Sequence, residues 1–199
     1  MILGDGILGQ MMEPVVMFDP IEYDPRIKDS WRLGISEGRE KHVITSVRLA
    51  PGTLEKHNMH LLEKYREIEA KEVRYELVHV EDADVVLVAY GTAARVCKSA
   101  VAISRANGGL KLGLVRPITL WPFPKKVLAE IAKDKSDMLV VEMSLGQMYE
   151  DVLISACGKA KVSLLAHTGG GLPIESEILE AAKKALASGE PIEIYPKVA

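Results

Sequence analysis

Cysteine is nearly absent. Cys97 and Cys157 are the two in 199 residues, and no C-x-x-C pair exists. An iron–sulfur cluster takes four thiolates, so this chain cannot hold one by itself. The two cysteines and five histidines show no zinc-ligand spacing either. Both thiols read as buried and inert. Side-chain amides are as scarce: Asn stands at 58 and 107 only, Gln at 10 and 147 only, against 25 Lys+Arg and 28 Asp+Glu. Few amides among many charges is the composition of heat-adapted proteins, which bears on stability rather than activity. No apolar run approaches the ~18–20 residues of a membrane span. The opening MILGDGILGQ has no basic leader and carries Asp5, which makes a poor secretory signal and a cytoplasmic location the expectation. The net charge of −3, with a pI near 6.0, gives no basic footprint for nucleic acid or an anionic membrane.

What is present is enough for a packed core: 48% hydrophobic and 27% charged residues. Residues 1–6 read as the end of a buried strand and 7–17 as a short helix. Residues 18–52 are interrupted by Pro20, Pro25 and Pro51 and by Gly34, Gly38 and Gly52. They contain Trp31, Ile35 and the alternating HVITSVRL, an extended segment with one strand or hairpin. Residues 53–72 read as a helix. Thr53 is its candidate N-cap, Leu54, Leu61, Tyr65 and Ile68 share a stripe, and Glu67 and Lys71 form an i,i+4 pair.

From residue 73 the pattern becomes regular. VRYELVHV (73–80) alternates, as an edge strand does. ADVVLVAYG (83–91) is continuously apolar, as a strand covered on both faces must be. Further strands fall at 110–117, 137–144 and 160–167. Helices fall at 93–106, 124–134 (with Pro124 near its first turn), 147–157 and 175–188. Strands alternating with helices over short links imply a three-layer α/β/α sandwich. Its sheet is mostly parallel, with 73–80 as one antiparallel edge strand.

Function in such sheets sits at the carboxyl ends of the strands. The candidates there are Gly91-Thr92, Arg116-Pro117, Glu142-Met143-Ser144 and His167-Thr168-Gly169-Gly170-Gly171. Gly91-Thr92 lacks the further glycines of a dinucleotide fingerprint and reads as a tight turn with Thr92 capping a helix. Arg116 could clamp a carboxylate or phosphate, or form a salt bridge within or between subunits. The three glycines after His167 let a backbone approach an anion or another chain closely, ahead of a helix N-terminus. A flexible interface loop fits them as well. No P-loop is present, and no Ser/His/Asp set has readable spacing.

The stretches MILGDGILGQMMEPV, GTAARVCKSAV, GLVRPITLWPFP, VVEMSLGQMYEDV and HTGGGLP, in that order, resemble the alpha subunit of 2-oxoacid:ferredoxin oxidoreductases of the 2-oxoglutarate or branched-chain 2-oxoacid type. The resemblance runs from residue 1 to about 188. It implies residues 1–17 as the stump of a pyrimidine-binding domain, 18–72 as a linker with the helix 53–72, and 73–199 as a transketolase C-terminal-like α/β domain. The chain then reads as a C-terminal half: a fragment, a truncated reading frame or a split subunit.

The family reaction is thiamine diphosphate-dependent oxidative decarboxylation of a 2-oxoacid with coenzyme A, giving acyl-CoA, CO2 and reduced ferredoxin. Thiamine diphosphate, Mg2+ and [4Fe-4S] clusters are expected in the complete complex and none on this chain. The expected partners are a beta subunit, gamma or delta subunits, and ferredoxin as electron acceptor. A thiamine motif would pair Gly4-Asp5-Gly6 with an Asn some 25–30 residues on, and residues 28–40 contain none. No catalytic residue carries over. Arg116, Glu142, Gln147, His167, Gly169, Gly170 and Gly171 would line an interface or the mouth of the site. Ile2, Leu3, Leu8, Met11 and Met12 need a cover, so the isolated chain is expected to self-associate as a dimer. A standalone α/β module binding coenzyme A or a nucleotide remains the other reading.

Overall fold

The structure, a computed structural model, describes residues 1–34 and 38–196; Ile35 and the last three residues of the expected final domain lie outside them. The chain divides into two compact units, Met1–Gln10 with Tyr65–Ala199, and Met11–Lys64.

The first unit is built on a six-stranded sheet of order β1-β3-β2-β4-β5-β6. The strands are β1 (Tyr75–Val78), β2 (Val85–Val88), β3 (Leu112–Pro117), β4 (Asp137–Glu142), β5 (Lys161–Ala166) and β6 (Glu193–Ile194). Only β1 runs antiparallel, pairing Tyr75 with Pro117 and Val78 with Leu114; the other pairings are parallel. Helix α1 is Thr53–Lys71, followed by α2 (Gly91–Ala106), α3 (Lys125–Asp134), α4 (Gln147–Ala156) and α5 (Glu175–Ala187). This is the mixed α/β architecture with a mostly parallel sheet and one antiparallel edge that the sequence implied.

The apolar runs are continuous because both sheet faces are covered. On β2, Val86 and Val88 enter one core with Leu128 of α3 and Met148 and Val152 of α4. Val85 and Leu87 enter the other with Cys97 and Val101 of α2 and Ile178 of α5. Burying one such side chain contributes roughly 1.5–3 kcal/mol. Gly113 of β3 is dictated by contact: a Cβ there would lie 2.7 Å from the His79 carbonyl oxygen and 2.9 Å from the Ala83 Cβ.

Several expectations are corrected. Residues 1–6 form no strand, and Met1, Ile2 and Leu3 are exposed. No neighbouring strand pairs with them, and the Asp5 carboxylate accepts the N–H groups of Ile7 and Leu8, which turns the backbone there. Helix 7–17 is reduced to a turn over 6–10, and Pro14 cannot donate within a helix there. HVITSVRL is not a strand, since it too has no pairing partner. Thr53 is the first helical residue rather than the N-cap, and its hydroxyl donates to the Ala50 carbonyl at 2.7 Å. The α1 stripe is not buried: none of its residues is. The Glu67–Lys71 ion pair is formed. Cys157 is exposed, unlike Cys97. β1 is shorter than 73–80 because His79 takes a left-handed conformation, φ 49°. Two-residue β6 was too short to show a periodicity.

Within the second unit, Asp24 caps a 3-10 turn (Pro25–Lys28) by accepting from the Arg26 N–H at 2.9 Å. The Arg39 guanidinium reaches the carbonyls of Arg32 and Gly34 and the His42 ring.

Candidate functional site

The chain passes from β2 outward to β3 and then returns across β2 to β4, so the topological switch lies between β2 and β4. The carboxyl ends at that switch carry Tyr90-Gly91-Thr92 and Glu142-Met143-Ser144, where open α/β sheets place ligand crevices.

Glu142, the last residue of β4, has no exposed surface. Its carboxylate accepts the Gly146 N–H and, at 2.9 Å, the Met148 N–H. A strand carboxylate thereby serves the donors at the start of α4, whose N-cap, Gly146, has no side chain to do so. Gln147 is exposed, and its Oε1 accepts from the Leu145 N–H at 3.1 Å, closing the same loop. The Ser144 hydroxyl oxygen is buried without a hydrogen-bond partner.

His167 follows the neighbouring strand. Its backbone N–H donates to the Glu142 carbonyl at 3.0 Å. The residue is 8% exposed, with Nε2 2.9 Å from Glu177 Oε2 on α5. Gly169 and Gly170 have φ of +61° and +88°, and Gly171 donates back to the Thr168 carbonyl at 3.1 Å. A Cβ on Gly171 would stand 3.3 Å from the His167 Nδ1. The loop is therefore folded tightly on the imidazole. The anion-binding argument for it weakens, because the first turn of α5 already holds Glu175 and Glu177.

Arg116 lies elsewhere. β3 and β5 are three strands apart in the sheet, about 14 Å at the usual spacing. The fold thus groups Glu142, Gln147, His167 and Gly169–Gly171, and leaves Arg116 beside α2. There Arg116 Nη1 donates to Glu76 Oε2 at 3.1 Å, while Lys98 Nζ donates to Glu76 Oε1 at 2.7 Å. Lys98 first, then Arg116, hold the Glu76 carboxyl below its ordinary range. Burial pushes the Cys97 thiol up, so it stays protonated.

Residue patterns alone missed three partners: Glu76, Glu177 and Asp5. The last is the least expected. Asp5 Oδ2 accepts the Thr92 hydroxyl at 2.6 Å across 87 positions of sequence. No local signal in the sequence joins Glu76, Glu177 or Asp5 to its partner. Among the described residues, no group of three or more His, Cys, Asp or Glu could hold a metal ion. None of their helices is long and apolar enough to cross a membrane.

Residues 83–178 match the family model of pyruvate:ferredoxin oxidoreductase core domain II. The chain carries a domain of the 2-oxoacid:ferredoxin oxidoreductase family. It is 44% identical over 183 residues to ketoisovalerate oxidoreductase subunit VorB of Methanothermobacter marburgensis, covering 92% of this chain and 51% of that subunit. It is 30% identical over 205 residues to 2-oxoglutarate synthase subunit KorA of Methanocaldococcus jannaschii, covering 91% and 54%. The chain thus spans about half the length of these relatives. A solved 2-oxoglutarate:ferredoxin oxidoreductase from Magnetococcus marinus superposes with a TM-score of 0.64 at 19% identity, over 75% of this chain and 27% of that one. That likeness establishes a shared fold.

Proposed function

We propose that this chain is the assembly and site-shaping part of the alpha subunit of a 2-oxoacid:ferredoxin oxidoreductase. The observation that carries the reading is the 44% identity to a ketoisovalerate oxidoreductase subunit over 92% of the chain. The geometry supports a scaffold role. At the carboxyl edge of the sheet the carboxylates of Glu142 and Glu76, the Arg116 guanidinium and the His167 ring are each engaged by other groups of the chain. Residues 73–199 are then the α/β domain, 18–72 the linker and 1–17 part of the pyrimidine-binding domain. Arg116, Gln147, His167 and Gly169–Gly171 line an interface or the site mouth, with Glu142 buried beneath as the support of the loop that carries Gln147.

In the complete enzyme, thiamine diphosphate with Mg2+ supplies the carbanion chemistry and [4Fe-4S] clusters on other subunits carry electrons to ferredoxin. A beta subunit, together with gamma or delta subunits, is the assembly partner, and the isolated chain dimerises. The setting is cytoplasmic. The test is purification of the tagged chain from its native cells. An iron-containing partner and 2-oxoacid- and coenzyme A-dependent dye reduction are expected. Recovery without such a partner would sink the reading. Arg116→Ala or His167→Ala with normal assembly and turnover would remove those residues from the interface.

The alternative, a standalone coenzyme A or nucleotide module, rests on the three-glycine loop, and Glu175 and Glu177 weigh against it. Calorimetry of the chain with millimolar coenzyme A would give heat only if that module exists.

A further inference from the structure

Helix α2 begins at the switch point with three deficits. Its N-cap, Tyr90, makes no side-chain capping bond, its first turn holds no acidic residue, and Thr92 is a polar side chain only 6% exposed. A helix start of this kind lacks both a hydrogen-bond acceptor and a negative charge to face the positive end of its dipole. The chain supplies the negative charge from a distance, together with an acceptor for the Thr92 hydroxyl rather than for the helix N–H groups. Asp5 Oδ2 accepts the Thr92 hydroxyl at 2.6 Å, and Asp5 Oδ1 accepts the N–H groups of Ile7 at 3.0 Å and Leu8 at 2.8 Å. One carboxylate thus does two jobs: it folds its own turn, and it ties that turn to the first turn of α2. These contacts, the Thr92 hydroxyl foremost and the Leu8 N–H next, hold the Asp5 carboxyl below its ordinary range. It remains ionised at neutral pH.

We infer that Gly4-Asp5-Gly6 is an internal ligand of the switch point, a clip whose Asp5 carboxylate is received by Thr92 and fixes residues 1–10 on the α/β unit. The β2 side of this crevice is a socket for the chain's own carboxylate. It is neither a free anion site nor part of a Mg2+-binding motif.

Limited proteolysis of the full chain tests this, with cleavage scored between residues 5 and 10 by mass spectrometry under conditions where rates follow the opened population. Thr92→Val removes the receiving hydroxyl and touches nothing within the turn. It should speed cleavage roughly tenfold, the change in opening that a hydrogen bond to a charged group controls. Asp5→Ala should do at least as much. The double variant should go no faster than Asp5→Ala alone, and Thr92→Ser should restore slow cleavage. Thr92→Val cut at the wild-type rate would show that Asp5 serves only its local turn, and would overturn the inference. So would a double variant cut at the product of the two single effects.

Discussion

Val43, Val47 and Leu49 alternate along their segment much as strand residues do, yet they are 62–89% exposed, while Val85 and Leu87 have no exposed surface. The same contrast holds across the two units. Among the described residues, none before Val80 is buried, and the core side chains lie in the sheet, in the helices α2–α5 and, for Val80, Ala83, Ala89 and Phe123, in the short links beside them. The difference lies in neighbours. Val86 to Val88 pair on both sides, with β3 and β4, and the strand is covered on both faces. The 43–49 segment has an equally apolar pattern and no strand beside it. Apolar alternation reports a capacity for pairing, and stability comes only where a partner is supplied.

The comparison is broken most severely by a matched pair of truncations. Leu139→Ala in β4 should cost about 2–5 kcal/mol by urea unfolding, whereas Leu49→Ala should stay within about 0.5 kcal/mol. Equal losses would mean that the second unit has a core of its own. Glu142→Ala should cost about 2–3 kcal/mol, because the Gly146 and Met148 N–H groups lose a charged acceptor. Glu142→Gln should cost less, since it keeps one acceptor, and equal costs would show that charge dominates. Gly113→Ala should cost about 1–3 kcal/mol from crowding against backbone, while Gly4→Ala, with nothing within 4 Å, should leave unfolding unchanged.

The smallest effect is one of pH. Arg105, with Lys111 behind it, lowers the Asp82 carboxyl from 3.8 to about 2. A depressed folded-state value stabilises above the unfolded value, so this contribution is present above pH 4. It is lost as pH falls toward 2. Thermal melts of Asp82→Asn should therefore lose part of the acid sensitivity that wild type shows between pH 4 and 2. An unchanged slope would mean the exposed pair does not matter to folding.

The strand–helix alternation after residue 73 was legible because each strand is a short apolar run bounded by helices of ordinary period. The family was legible in the order of several short stretches. What the sequence could not show were long-range partners. Arg116 and Glu76 are 40 positions apart, and Asp5 and Thr92 are 87. No periodicity connects such residues, because only the sheet order brings them together. The strand and helix assigned to 1–17 failed for the complementary reason. They were read from local apolarity, whereas a single carboxylate and Pro14 decide the backbone there. Cys157 was misjudged because it sits just past the end of α4 in a left-handed conformation, φ 50°, where burial is a matter of loop geometry.

The reversed direction of β1 determines where traffic enters the domain. Because Tyr75 stands opposite Pro117, the chain arrives at the carboxyl end of β3, and the Arg74 carbonyl there takes the N–H groups of Ile118 at 2.9 Å and Thr119 at 3.1 Å. A first strand running parallel would have entered beside Leu112, about 17 Å away at 3.3 Å per residue. One antiparallel strand therefore brings Arg74 and the chain entering β1 to the same rim as Asp5, Glu142 and His167. The opposite rim carries the helix-to-strand links, and a groove of about 400 Å³ lies there between Leu153 and Pro191. The polarity of a single four-residue strand decides which rim of the sheet receives the chain.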